Sequence, residues 1–205
     1  GSLRIGCTPA LGLSVMPRVV HAFSTRHPEV HVNLQTIGAH HLREGLLHGL
    51  YDLVLTTTAI SHPHLSAHIL HRGSAVCVVH PTHALAGRKA IHVRDLRGQR
   101  LLNLNTDDEI QQQFQQVMEQ HAVEASATVE TTYSATICAL AAEGAGIGIV
   151  NPYVASVFTH ALKVLPFTPR LPVEVCMAFA SQTAPSLMTG EFAALLEDYF
   201  SQLAR

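Results

Sequence analysis

The residues best able to hold a small polar molecule stand just after apolar runs and just before stretches with helical spacing. "CTPALG" sets Thr8 ahead of Pro9 and Ala10, and "LTTT" carries Thr56, Thr57 and Thr58. "NLNTDDEI" carries Asn105, Thr106 and Asp107, "TTYSAT" carries Thr132, Tyr133 and Ser134, and "IVNP" ends on Asn151 and Pro152. A hydroxyl or carboxylate at such a boundary caps a helix by accepting a first-turn N–H. The same boundary also binds anions, because the orphan N–H donors and the helix dipole both favour negative charge. A ligand carboxylate suits Thr8 with Pro9 and Ala10, and Thr132 and Tyr133 with Ser134. A ligand ammonium needs an acceptor. Asp107 is the first choice, with Asn105, Thr106, Asn151 and Thr56 to Thr58 as further rim candidates. Ser134 and Asp107 read equally well as plain N-caps. A micromolar ligand needs roughly 8 kcal/mol. A handful of charge-assisted hydrogen bonds at about 1.5–3 kcal/mol each supplies that.

Other chemistries fit less well. His64, His68 and His71 have the spacing of one helix face, which would suit a metal. The segment "SHPHLSAHILHR" reads instead as loop plus strand, so no metal site is expected, and His62, His64, His68 and His71 form a surface cluster sensitive to pH. His40-His41, His80 and His83 fall in turns. Cys7, Cys77, Cys138 and Cys176 all sit in apolar stretches without a C-x-x-C pair, as buried thiols of a reducing cytoplasm would. Cys138 is a core residue on this reading, not a nucleophile. Glu130 and Glu143 do not form the paired carboxylates of acid–base catalysis. No G-x-S-x-G, P-loop or H-E-x-x-H occurs. "AAEGAGIGIVNP" holds Gly144, Gly146 and Gly148, but in the order helix, glycines, strand. A dinucleotide fingerprint runs strand, glycines, helix. Gly144 therefore reads as a helix C-terminal cap, followed by a strand from Ile147 to Val150.

These residues need elements to position them. "LRIGCT" (3–8), "VHVNLQTI" (30–37) and "YDLVLTT" (51–57) read as strands. Between them lie helical patterns at "LSVMPRVVHAFSTRH", with Pro17 as a kink, and at "HHLREGLLHGL". The pattern restarts after "SAVCVVHP" (74–81), with strands at 100–105, 127–131 and 147–150. The helices "DEIQQQFQQVMEQH" and "SATICALAAEG" alternate with them. In the first of these, Ile110, Phe114, Val117 and Met118 share a face, and the glutamines read as its solvated side. A late strand (171–180) and a final amphipathic helix close the chain. Strand–helix alternation predicts parallel sheets with right-handed crossovers. The expectation is α/β, two Rossmann-like subdomains around a cleft: 1–76 with 178–205, and 77–177, joined near 74–80 and 171–180. Ligands of open α/β sheets bind at the carboxyl ends of the strands.

With 205 residues, 47% hydrophobic and 14% charged, the chain can bury a sizeable core. Its net charge is −2. The cluster Arg88, Lys89, Arg94, Arg97 and Arg100 is interrupted by apolar residues and Asp95, unlike a phosphate-binding stripe. No apolar run is long enough to span a membrane. The opening "GSLRIGCT" enters a strand at once, which suits a segment of a longer protein.

"VVHPTHALAGRKAIHVRDLRGQRLL" (78–102) resembles the crossover segment of LysR-type transcriptional regulators. His83, Leu85, Ala86, Asp95, Leu96 and Gly98 match, and Ala84 departs from the usual proline. Gly144, Gly146, Ile147 and Pro152 match a second segment of that family, and "YDLVLT" a third. The resemblance covers essentially the whole chain, at the effector-binding part of those regulators. "TTYSATICALAAEGAGIGIVNP" is most similar to members sensing basic amino acids or their derivatives, including the regulator of diaminopimelate decarboxylase and opine-responsive regulators. The resemblance implies a type 2 periplasmic-binding-protein fold and an amino-acid-like effector between the subdomains, without cofactor or catalysis. It also implies a cytoplasmic homodimer, tetrameric at full length. DNA contact would come only through an N-terminal winged helix-turn-helix that this sequence lacks. Family members pair these domains antiparallel, here through helices at 11–26 and 107–121. The alternatives on the same fold are a solute-binding protein of a transporter and a small-molecule enzyme.

Overall fold

Short apolar runs ending in Thr, Asn or Gly become strands, and the amphipathic stretches between them become helices. The structure is a computed structural model that describes residues 1–204. In chain order it contains β1 (Ser2–Cys7), α1 (Pro9–Ser14), α2 (Met16–Arg26), β2 (His31–Thr36), α3 (Ala39–Leu47), β3 (Leu53–Thr56) and β4 (Leu65–Ser74). Then come β5 (Val76–Val79), β6 (Ile91–His92), a 3-10 turn at Val93–Leu96, β7 (Arg100–Leu104), α4 (Glu109–Gln120), β8 (Ala127–Thr131), α5 (Ser134–Ala142) and β9 (Ile147–Val150). The chain closes with α6 (Pro152–Ala155), β10 (Lys163–Thr168), β11 (Pro172–Ala180) and α7 (Leu187–Leu203).

The chain divides into two units. The first is Gly1–Arg72 with Glu174 onward, and the second is Gly73–Val173. The divide falls a few residues before the 76/77 and 177/178 boundaries expected from sequence. β11 pairs with β3 through Cys176↔Thr56, Met177↔Leu55 and Ala178↔Val54, so the stretch from 174 belongs to the first sheet.

In the first unit the strand order is β2-β1-β3-β11-β4. β1 runs parallel to β2 and β3, whereas β11 is antiparallel to β3. Leu3, Ile5 and Cys7 of β1 are buried, as are Phe23 of α2 and Phe192 and Phe200 of α7. Phe23 and Phe192 meet edge to face with centroids 5.6 Å apart. Burial of each such side chain contributes about 1.5–3 kcal/mol. His27 ends α2 beside this core, its ring against Phe23 and its Nε2 on the Glu191 carboxylate of α7.

In the second unit the order is β6-β10-β5-β9-β7-β8. β7 runs parallel to β8 and β9, and β5 is antiparallel to β9 and β10. α5 lies so close to β9 that a Cβ on Gly148 would stand 2.2 Å from Ile137 Cγ2. Gly144 follows α5 with φ +82°, and the Ala145 N–H reaches back to Leu140 O at 3.0 Å, so this glycine does end the helix.

Several local expectations change. The sheets are mixed rather than purely parallel, because β5 and β11 each run against a neighbouring strand. The helix expected across Pro17 is two helices broken at Val15, and Pro17 lies in the first turn of α2, where its missing N–H leaves no gap. His40 and His41 lie within α3, not in a turn. β6, β10 and α6 carried no sequence prediction.

Candidate functional site

The second unit brings three carboxyl ends to one sheet edge. β9, β7 and β8 are neighbours and parallel. Leu104, Thr131 and Val150 therefore end side by side. Asn105 to Asp108, Thr132 with Tyr133, and Asn151 follow them directly.

The residue entering α5 is Tyr133, not Ser134 as the cap reading of the sequence had it; Tyr133 is extended (φ −117°, ψ 136°) and its phenol makes no cap. The N–H groups of Thr136 and Ile137 return to Tyr133 O at 3.0 and 3.3 Å. Those of Ser134 and Ala135 start the helix without a side-chain cap. The Ser134 hydroxyl is oriented by Asn151. Asn151 Oδ1 accepts the Val154 N–H at 2.8 Å, capping α6, so its Nδ2 faces Ser134 and donates to Oγ at 3.2 Å. Ser134 Oγ thus already accepts, and its own proton is available to another acceptor. Asn151 is buried, Ser134 half-buried, and Thr132 and Tyr133 exposed. Pro152, half-buried, fills the first position of α6. The edge at α5 offers donors to an oxyanion.

The β7 end differs. Asp108, not Asp107, caps α4, with Oδ1 accepting the Gln111 N–H at 3.0 Å. Burial pushes the Asp108 carboxyl above the usual range, and the Asp107 charge adds to this against the pull of backbone N–H donors. Asp107 and Thr106 are exposed and Asn105 is half-buried. Asn105 O accepts the Asp108 N–H at 3.1 Å, and Thr106 O accepts Gln112 Nε2 at 2.9 Å. A groove of about 710 Å³ is lined by Thr106, by Gln111, Gln112, Gln113 and Gln116 of α4 and by Pro172; Ser134 does not line it.

Sequence reasoning missed Asn103 and Gln111. Gln111 is not on the solvated side of α4; it is buried with Ile110, Phe114 and Met118. Its Oε1 accepts the Leu104 N–H at 3.0 Å. Gln111 Nε2 and Asn103 Oδ1 are buried with no partner among the described residues. Each unsatisfied group costs about 1–3 kcal/mol. The signal was present, since 111 shares the helical face of 114 and 118.

In the first unit the edge residues also bond within their own loop. The Thr8 N–H donates to Leu55 O at 3.1 Å, and Thr8 Oγ1 accepts the Thr57 N–H at 3.3 Å. Thr56, fully buried, donates its hydroxyl to Thr58 O. Thr8 precedes α1 without a side-chain cap, and Pro9 and Ala10 form its first turn.

The histidine segment is loop and strand, as expected, and that strand, β4, lies at the edge of its sheet. His64 meets Gln182 at 2.9 Å, the His68 ring lies on Phe179 and the His71 ring on Phe200. Burial holds the His71 imidazole below its ordinary value. Among the described residues no three His, Cys, Asp or Glu side chains gather as metal ligands. All four cysteines are buried and free. Burial pushes the Cys7, Cys77 and Cys138 thiols up to about 12, far from a nucleophile's range. Among the described residues no helix is long and apolar enough to cross a membrane.

The family model described as LysR substrate binding domain matches residues 1–201. The chain belongs to the LysR substrate-binding-domain family. It is 28% identical over 204 residues to the regulatory protein NocR of Agrobacterium tumefaciens (strain T37), covering 99% of this chain and 68% of NocR. It is 32% identical over 155 residues to the transcriptional activator protein LysR of Escherichia coli (strain K12), covering 76% of this chain and 50% of that protein. Among solved structures, the BenM effector-binding domain with its effector benzoate superposes at a TM-score of 0.82, with 21% identity, over 99% of this chain and 93% of that one. The effector-binding domain of QuiR with shikimate gives 0.79 at 16% identity, over 98% of each chain. At these identities the structures establish the shared fold, the type 2 periplasmic-binding-protein arrangement. The LysR-family relatives are transcriptional regulators rather than enzymes, so this chain is the effector-binding regulatory part of such a protein.

Proposed function

We propose that this domain senses a small amino-acid-like effector whose carboxylate is held at the start of α5. The observation that carries the reading is the Ser134–Asn151 hydrogen bond. It leaves a hydroxyl proton and the first N–H groups of α5 as donors at one edge. Such a donor set selects an oxyanion. Asp107, exposed at the neighbouring β7 end, is the acceptor for the effector's ammonium, with Asn105 and Thr106 beside it. Thr132, Tyr133, Asn151 and Pro152 complete this edge. Thr8, Pro9, Ala10, Thr56 and Thr57 of the first unit form a second edge for the same class of ligand.

In the whole protein the effector acts through its different affinity for two conformations. DNA binding belongs to an N-terminal winged helix-turn-helix, in a cytoplasmic homodimer or tetramer.

A thermal-shift panel tests this, with lysine, diaminopimelate, arginine, opines, and aromatic and dicarboxylic acids. A ligand at about one hundred times its dissociation constant adds roughly 2.7 kcal/mol, a readily measured shift. A shift confined to basic amino acids is the expected result. In that case Asp107→Ala weakens binding at least tenfold, about 1.4 kcal/mol. A shift only with aromatic or dicarboxylic acids removes Asp107 from the site but keeps the carboxylate contact. No shift with any carboxylate overturns the proposal.

A further inference from the structure

We infer that Gln111 is a positioning residue: its side chain completes the β7 ladder at the point where the β7–β9 pairing ends, and so fixes the Asn105–Asp108 loop at the proposed effector edge. The inference rests on the reading of that edge given above.

β7 pairs with β8 along its whole length, from Arg100↔Ala127 to Leu104↔Thr131. It pairs with β9 only at Leu101↔Ile147 and Leu102↔Gly148. On its other edge β9 pairs with β5 from Val78↔Gly148 to Val76↔Val150. The last two residues of β7, Asn103 and Leu104, pair with β8 but lie beyond the β7–β9 register. The Leu104 N–H is taken there by Gln111 Oε1 at 3.0 Å.

The same residue is held through its main chain, since the Gln111 N–H donates to Asp108 Oδ1 at 3.0 Å. One residue thus ties the end of β7 to the cap of α4, with Asn105, Thr106 and Asp107 between the two ties. The Asp108 N–H on Asn105 O closes the loop from within.

The helical spacing of Ile110, Phe114 and Met118 asks for an apolar side chain at 111. Leucine or methionine would fill the volume and leave no amide nitrogen buried without a partner. It would also leave Leu104 without an acceptor. An amide here costs the core and serves the loop.

The test compares Gln111→Met with Gln111→Glu by backbone amide exchange and by binding of meso-diaminopimelate. Glutamate keeps an oxygen acceptor for the Leu104 N–H; methionine does not. The expected result is a protected Leu104 amide in the parent chain and in Q111E. In Q111M, Leu104 should exchange at least tenfold faster, with the Val129 and Ile149 amides unchanged. Diaminopimelate should bind Q111M at least fivefold more weakly and Q111E about as well as the parent. Exchange that accelerates uniformly across β8, β9 and α4 makes Gln111 an ordinary core residue and overturns the inference. So does unchanged Leu104 exchange, or unchanged binding, in Q111M. If diaminopimelate does not bind the parent chain, the effector reading loses that ligand while the exchange comparison still decides what Gln111 does. Should Q111M not fold, an unprotected Leu104 amide in the parent chain contradicts the inference by itself, and a protected one that Q111E retains upholds it.

Discussion

At the carboxyl edge of the first sheet, the hydroxyls hold their own loop together. Thr8 Oγ1 accepts the Thr57 N–H and Thr56 donates to Thr58 O. At the carboxyl edge of the second sheet, the Ser134 hydroxyl is held by a side chain from a different loop. Asn151 donates to Ser134 and caps α6 with its other end, so the Ser134 proton is left for something else. The helices differ as well. α1 is six residues long and breaks at Val15, whereas α5 runs for nine residues directly against β9. Similar residue types at similar boundaries therefore perform different tasks. What separates them is the partner: Thr8 accepts from a main-chain N–H, whereas Ser134 accepts from a side chain that also caps α6.

The largest expected effects concern how each unit seats its helices. A Cβ at Gly148 meets Ile137 Cγ2, a branched side chain of α5 packed on the strand. At Gly6 it meets chiefly Leu42 Cδ2, the far end of a flexible side chain, at 2.5 Å. Gly148→Ala should destabilise by about 3 kcal/mol and Gly6→Ala by about 1 kcal/mol, read as denaturant midpoints at constant slope. Equal losses would mean that α5 is seated no more tightly than α3.

Next comes Asn151. Asn151→Ala removes the α6 cap and should cost about 1 kcal/mol of stability. Asn151→Asp keeps an acceptor for Val154 but cannot donate to Ser134 and adds a negative charge. Thermal melts should place it near the parent chain, while any carboxylate effector is lost. Ser134→Ala against Thr8→Val sharpens the contrast between edges. Ser134→Ala should leave stability within about 0.5 kcal/mol of the parent. Thr8→Val should lose about 1 kcal/mol with the Thr57 hydrogen bond. The reverse order would reassign the two hydroxyls.

The smallest effect is pH-linked. The Asp108 carboxyl is raised in the fold, so the unfolded chain ionises first. Its stabilising contribution is complete below the unfolded value and is lost as pH rises through the folded one. Asp108→Asn keeps the cap acceptor and removes the titration. Melts across the carboxylate range should show a flatter pH profile for this variant, and an unchanged profile would remove Asp108 as a source of the slope.

The alternation of strands and helices was legible because period-2 and period-3.6 patterns are local. So was the Asn151-Pro152 boundary, where a cap residue precedes a first-turn proline. Strand direction was not, because β5 and β11 take their sense from distant partners. The one-residue displacements from Asp107 to Asp108, and from Ser134 to Tyr133, depend on backbone angles that residue type does not determine. The burial of Gln111 was legible from the face it shares with Phe114 and Met118, but its role was not, since its partner Leu104 is a main-chain group on another element.

The most direct test of the account is titration calorimetry of a carboxylate effector against its own carboxamide, on the parent chain and on Ser134→Ala. Binding of the acid is expected, with at least tenfold weaker binding of the amide and a smaller preference in Ser134→Ala, where only the α5 N–H donors remain. Equal binding of acid and amide, or a preference undiminished in Ser134→Ala, would contradict this.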